Sequence, residues 1–209
     1  MRSFGEMIRA LVRSLNRLGV DYAITGAIAA SYYGAPRTTI DLDVLVHASS
    51  DNMDKLRKAL QRSRIDADAQ ALKEASRLGA FNLVRCNDTL SPHTVDIIRR
   101  RHKFRKLSGR ALGMKSYYQP PEELIRMKLR MIKATKPPER ATKDIDDVHS
   151  ILNNTRVNLT RIKLYAKLDT TFEIFHSISK RTAQHREHWR ERCKDTASSS
   201  ASSRRRKNA

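Results

Sequence analysis

Ile24-Thr25-Gly26-Ala27-Ile28-Ala29-Ala30, followed by Tyr33-Gly34-Ala35-Pro36-Arg37-Thr38-Thr39-Ile40-Asp41-Leu42-Asp43-Val44-Leu45-Val46, is the stretch on which the fold turns. Val20 to Thr25 is short, apolar and β-prone, and Gly26 then opens a run of small residues able to continue as a helix to Gly34. Ala35-Pro36 breaks that helix, because the residue before proline avoids the α region, and Ile40 to Val46 reads as a strand. Residues two apart in a strand share a face, so Asp41 and Asp43 stand side by side while Leu42 turns to the core. Two adjacent carboxylates repel each other unless a divalent cation sits between them. Mg²⁺ takes such oxygens and keeps its other positions for water and phosphate. An isolated Asp-x-Asp is commonly a solvated strand edge; here the pair keeps company with a glycine turn, a helix start, Arg37-Thr38 and a third acid, Asp96, on a later strand. Gly26 lets a phosphate approach the backbone, the N–H groups of the helix start attract anions, and Arg37 can clamp a phosphate with two parallel hydrogen bonds.

Outward from this core, Phe4, Met7, Ile8, Leu11, Val12, Leu15 and Leu18 recur at three- and four-residue steps, placing one apolar stripe on a helix ended by Gly19. Met53, Leu56, Ala59 and Leu60 predict a helix beginning near Asp51, and the polar stretch 66–75 reads as helical or irregular. Phe81 to Cys86 and Thr94 to Ile98 read as strands joined by the turn-rich Asn87-Asp88-Thr89-Leu90-Ser91-Pro92, a hairpin that brings Asp96 into the sheet. Met114 to Tyr118 adds a strand. Pro120-Pro121-Glu122-Glu123 starts a helix carrying Lys128, and after Pro137-Pro138 a further helix runs from Glu139 to about Leu152, with Asp144 and Asp147 on one side. From Leu159 to Cys193 the apolar spacing predicts a long or broken helix. The expected fold class is α/β (α+β): a mixed sheet flanked by helices over 1–155, a basic helical appendage over 156–195, and a disordered basic tail over 196–209.

The 209 residues suffice for one such domain and its appendage. Lys and Arg number 42 against 22 Asp and Glu, a net charge of +20; residues 196–209 hold four bases and no acid, leaving +16 without them. Such a field points to a polyanionic partner. The run Arg99-Arg100-Arg101-His102-Lys103-Phe104-Arg105-Lys106 follows Asp96 directly, which puts a basic tract at the rim of the acids, where an RNA backbone would lie. Cys86 and Cys193 have no CxxC or Cys/His spacing around them, so neither zinc nor a disulfide framework is indicated. His93, His102 and His149 lie in a loop, a basic run and a helix, and read as structural or solvated. With no secretory leader and no apolar run approaching ~18 residues, a cytoplasmic protein with no membrane partner is expected.

Taken together, the quoted stretch resembles the nucleotidyltransferase superfamily of the DNA polymerase β type, and more narrowly the prokaryotic minimal and abortive-infection-type nucleotidyltransferases. Thr94-Val95-Asp96-Ile97-Ile98 resembles the strand of the third acid in that superfamily, and Pro121-Glu122-Glu123-Leu124-Ile125 to Lys128-Leu129 the helix that brings a lysine toward the nucleotide. Lys143-Asp144-Ile145-Asp146-Asp147-Val148 resembles the Lys/Arg-Asp-x-x-Asp helix of the abortive-infection type. The resemblance implies metal-dependent transfer of a nucleoside monophosphate from an NTP to an acceptor hydroxyl, with release of pyrophosphate. It implies two Mg²⁺ ions on Asp41, Asp43 and Asp96, with Asp96 helping to deprotonate the acceptor and Lys128 in the catalytic set. Nucleotide contacts would come from Thr25, Gly26, Ala27, Arg37, Thr38 and Lys128, with Asp144 orienting the lysine or the nucleotide. Ala27 departs from the usual glycine or serine, so that position offers a backbone N–H and no hydroxyl. The charge favours RNA or tRNA as acceptor. The alternative is a non-catalytic basic nucleic-acid-binding or toxin–antitoxin partner protein of the same fold, whose partner would be an antitoxin protein.

Overall fold

The computed structural model describes residues 1–68 and 82–182. Most of the 66–75 stretch, Phe81, Cys193, the end of the appendage and the tail therefore lie outside the described residues. The chain forms two compact units, Met1–Leu124 and Ile125–Ala209, a division earlier in the chain than the sequence boundary at 155.

The first unit is built on one seven-stranded mixed sheet, in the order β3-β4-β5-β2-β1-β7-β6. Its strands are β1 (Tyr22–Ile24), β2 (Asp41–His47), β3 (Ile65–Asp66), β4 (Asn82–Asp88), β5 (Thr94–Arg100), β6 (Leu107–Ala111) and β7 (Met114–Tyr118). Helix α1 (Phe4–Arg17) opens with a capping box between Ser3 and Glu6 and buries Met7, Ile8, Leu11, Val12 and Leu15. It ends at Leu18 and Gly19, the glycine at φ +63°. Helix α2 (Gly26–Tyr33) occupies the small-residue run, and α3 (Ser50–Arg62) is capped by Ser49. At the head of α3, Asn52 accepts from the Asp21 N–H at 2.6 Å and donates to the carbonyls of Asp21 and His47 at 3.1 and 2.7 Å. One buried amide thus fixes the helix against the ends of β1 and β2.

The sheet's centre is where sequence pattern and register meet. β2 pairs antiparallel with β1 and parallel with β5, and β5 pairs antiparallel with β4. Leu42, Val44, Val46, Val95 and Ile97 are fully buried. On the face that carries Asp41 and Asp43, the far ends of the strands bring Ala23, Leu45 and Ile98 into a small apolar cluster against Phe104. The edge strand β6 and the two-residue β3 extend the sheet beyond the expected strands.

The second unit contains most of α4 (Pro121–Ala134), a 3₁₀ turn (Pro138–Ala141), α5 (Thr142–Asn154), α6 (Leu159–Leu168) and a helical stretch over 172–182. Proline 138 starts the 3₁₀ turn, so the α-helix expected from Glu139 begins at Thr142. Its buried apolar residues include Ile125, Leu129, Val148, Ile151, Ile162, Ala166, Phe175 and Ile178. The expected appendage breaks after Leu168, where Thr170 takes φ +53°. No helix among the described residues is long and apolar enough to cross a membrane.

Candidate functional site

Sheet register assembles the three acids. Asp43 stands directly beside Asp96 across the β2–β5 ladder, and Asp96 directly beside Arg85 across the β5–β4 ladder. Side chains of directly opposed residues share a face, so Asp43, Asp96 and Arg85 form one row, with Asp41 two residues along on the same face. Arg85 donates from Nε to one oxygen of Asp96 at 2.8 Å and from a terminal nitrogen to the other at 2.7 Å. Its proton is held more tightly than that of a free guanidinium, first by the hydrogen bond to Asp96 and by that carboxylate's charge, with Asp41 and Asp43 adding to the pull. Asp41 accepts the hydroxyl proton of Thr39 and donates its own N–H back to that oxygen at 3.4 Å.

Gly26 has φ +60°, and a Cβ built there would lie 1.9 Å from Oδ2 of Asp43. The glycine is required twice, by the left-handed backbone and by the carboxylate packed against it. The Thr25 N–H donates to the Asp43 carbonyl at 3.0 Å, which ties the turn to the acidic strand. Thr25 itself is fully buried, and its hydroxyl donates to Oε1 of Gln119, not to the head of α2. What this turn can offer a ligand is therefore backbone: the early amides of an eight-residue helix, at Gly26 and Ala27. Arg37 and Thr38 lie in the loop before β2, with the Arg37 N–H on the Ser31 hydroxyl at 3.3 Å and Thr38 exposed.

Three carboxylates on one sheet face, backed by a glycine that leaves Asp43 room, are a donor set suited to a hard divalent cation. Among the described residues, no group of three or more Asp, Glu, His or Cys converges tightly enough to hold a metal as it stands. Both oxygens of Asp96 are engaged by Arg85, and one oxygen of Asp41 accepts from Thr39.

Lys128 and Asp144 belong to the second unit. Lys128 is 3% exposed, with Nζ 3.0 Å from Asp144 and 2.6 Å from Asp147. The two acids lie three apart on α5, so one turn of helix brings both to the same ammonium. His149 Nδ1 lies 2.6 Å from the Thr182 hydroxyl, and the His93 ring packs at a tilt of 54° against Phe4, structural roles for both. The basic tract begins inside the sheet and not beyond it. β5 continues through Arg100, and Arg99, paired with Val46, faces away from the acids and is only 6% exposed. Arg100 is exposed on the acid face, about 13 Å along the strand from Asp96.

Arg85 is the residue that motif reading missed. Its signal was present in the hairpin: β4 alternates exposed Leu83 and Arg85 with buried Val84 and Cys86, and once the turn fixes register, a base faces Asp96. Gln119 was missed too, because its bond to Thr25 joins residues far apart in sequence.

No protein-family model and no curated protein matches this sequence. Solved structures match by fold, and the fold is that of the nucleotidyltransferases. Superposition on ANT(2″)-Ia in complex with adenylyl-2″-tobramycin gives a TM-score of 0.59 at 9% identity, covering 80% of this chain and 97% of that one. The solution structure of ANT(2″)-Ia gives 0.52 at 10% identity, with 88% and 97% covered. An antigenic nucleotidyltransferase-like protein from Paracoccidioides brasiliensis gives 0.53 at 17% identity, with 86% and 94% covered. At these identities the likeness is one of architecture.

Proposed function

We propose that this chain is a metal-dependent nucleotidyltransferase that moves a nucleoside monophosphate from an NTP to a hydroxyl of RNA, tRNA included, and releases pyrophosphate. The reading rests above all on the row of Asp43 and Asp96 beside Asp41, with Gly26 packed against Asp43. Asp41 and Asp43 would hold two Mg²⁺ ions, and Asp96 one of them. Bound there, the ions would neutralise the triphosphate and align an in-line attack. Asp96 would also draw the proton from the acceptor hydroxyl. The amides of Gly26 and Ala27 would receive phosphate oxygens, with Arg37 and Thr38 contributing from the loop. The part of Thr25 is to hold the turn through Asp43 and Gln119. Lys128, steadied by Asp144, is carried as a nucleotide contact by sequence resemblance.

The RNA acceptor rests on charge: +16 remains without the last fourteen residues, and Arg100, Arg101, Lys103 and Arg105 are exposed. A small acceptor such as the tobramycin adenylylated in the ANT(2″)-Ia complex needs no such field. The grip of Arg85 on Asp96 is the observation that favours the second reading, a non-catalytic nucleic-acid-binding or antitoxin-partnered protein of the same fold. One assay separates these. The protein is incubated with each α-labelled NTP, Mg²⁺ and, in parallel, total RNA, an aminoglycoside, or cell protein. Label in RNA is expected; label in the small molecule or protein alone would overturn the acceptor, and label nowhere would favour the non-catalytic reading.

A further inference from the structure

The acidic row carries a cation of its own, and the two partners in that contact are unequal. The Asp96 side chain is 6% exposed, whereas that of Arg85 is 58% exposed. The acid is fixed inside the sheet, between β2 and β4. The arginine stands on a long stem at the surface, able to swing into water and remain hydrated there. A buried carboxylate beside a second carboxylate on the adjacent strand is costly unless positive charge is close by. Arg85 supplies that charge, and its fork spans both oxygens of Asp96.

Those are the oxygens a hard cation would need, at roughly 2.0–2.1 Å for Mg²⁺. A guanidinium and a divalent ion cannot occupy the same side of one carboxylate, because they repel and because the fork leaves no open approach. We propose that Arg85 is a built-in counter-cation, a positioning residue that offsets the charge of buried Asp96 while the row carries no metal and must release Asp96 before a divalent ion can bind there. The proposal rests on reading Asp41, Asp43 and Asp96 as metal ligands. It makes the metal affinity of the site a property of a fourth residue. If Asp96 is released only a tenth of the time, the apparent affinity for metal is weakened about tenfold.

The test uses Mn²⁺ alone as probe, with the loss of the free-ion EPR signal on titration of full-length protein. Arg85→Ala and Arg85→Gln are expected to bind Mn²⁺ about tenfold more tightly than the wild type. Arg85→Lys, which keeps the charge and loses the fork, should fall between. Without metal, Arg85→Gln should melt below the wild type, and Mn²⁺ should raise its Tm by more. Arg85 is exposed on its strand, so the polar variant guards against a folding defect in the alanine one. Asp43→Asn serves as the control that abolishes binding. If wild type, Arg85→Ala and Arg85→Gln bind alike while Asp43→Asn does not bind, the counter-cation is overturned and the metal site stands. If none of them binds Mn²⁺ at millimolar concentration, both fall.

Discussion

Single residues carry the local chemistry, and Gly26 has the narrowest tolerance. A left-handed backbone costs an L-residue about 1–2 kcal/mol, and any side chain here would also collide with the Asp43 carboxylate. Gly26→Ala is therefore expected to lose about that much stability in urea melts and to lower nucleotide transfer by ~100-fold or more, as Asp43 is pushed aside. A variant with wild-type turnover would show that the close approach is incidental. Lys128 is held for a different reason: two carboxylates, at 3.0 and 2.6 Å, meet one ammonium that is almost fully buried. Removing one side of a buried pair leaves uncompensated charge and costs ~3–5 kcal/mol. Lys128→Met should show a loss of that order by chemical denaturation, with part recovered in the double variant that adds Asp147→Asn. No loss would mean that the cluster is not structural, leaving Lys128 to its nucleotide role alone.

At the scale of elements, the second unit has a clasp between α4 and the end of α6. Arg126 grips Asp169 at 2.6 and 2.9 Å and lies over the Tyr165 ring. The hydrogen bonds from Arg126 hold the Asp169 carboxyl below the usual carboxylate range, against the opposing effect of burial. A folded pKa depressed below the unfolded value of about 3.9 means that the stabilisation is present above that pH and is lost as pH falls through the folded value. Asp169→Asn should accordingly lower the melting temperature at pH 7, and the gap to the wild type should close progressively below about pH 4. A gap independent of pH would indicate lost packing without an ionic contribution. How far the elements could be read from sequence follows the same physics. α1 was legible because its apolar periodicity is sharp and Gly19 closes it, and β2 because Pro36 breaks the helix before a short β-prone run. β6, with the sequence Leu-Ser-Gly-Arg-Ala, is an exposed edge strand with little alternation to show. The extension of β5 through Arg99 and Arg100 was hidden because basic residues do not announce a strand; its partner β2, running on to His47, keeps it paired. The acids of the site were legible as a motif, but the Arg85–Asp96 contact is set by inter-strand register, which no local pattern encodes.

For the whole molecule, the +20 charge is the property that bears on its partner. If RNA is bound through phosphates, log affinity should fall linearly with log salt, at roughly 0.7–0.9 of a unit of slope per phosphate neutralised. Replacing the exposed Arg100 and Arg101 with Gln should flatten that slope by about 1–2 units in anisotropy titrations. Replacing Arg99, which is buried, should destabilise the protein instead of altering the slope. Binding that ignores salt would remove RNA as the acceptor. Whether the acidic row does chemistry is decided by following pyrophosphate release and RNA labelling side by side in the wild type and Asp43→Asn, with Mg²⁺ present and circular dichroism confirming that both are folded. The wild type should turn over and Asp43→Asn should fall by about 10³-fold or more; equal turnover in the two proteins would mean that these acids are not the catalytic centre.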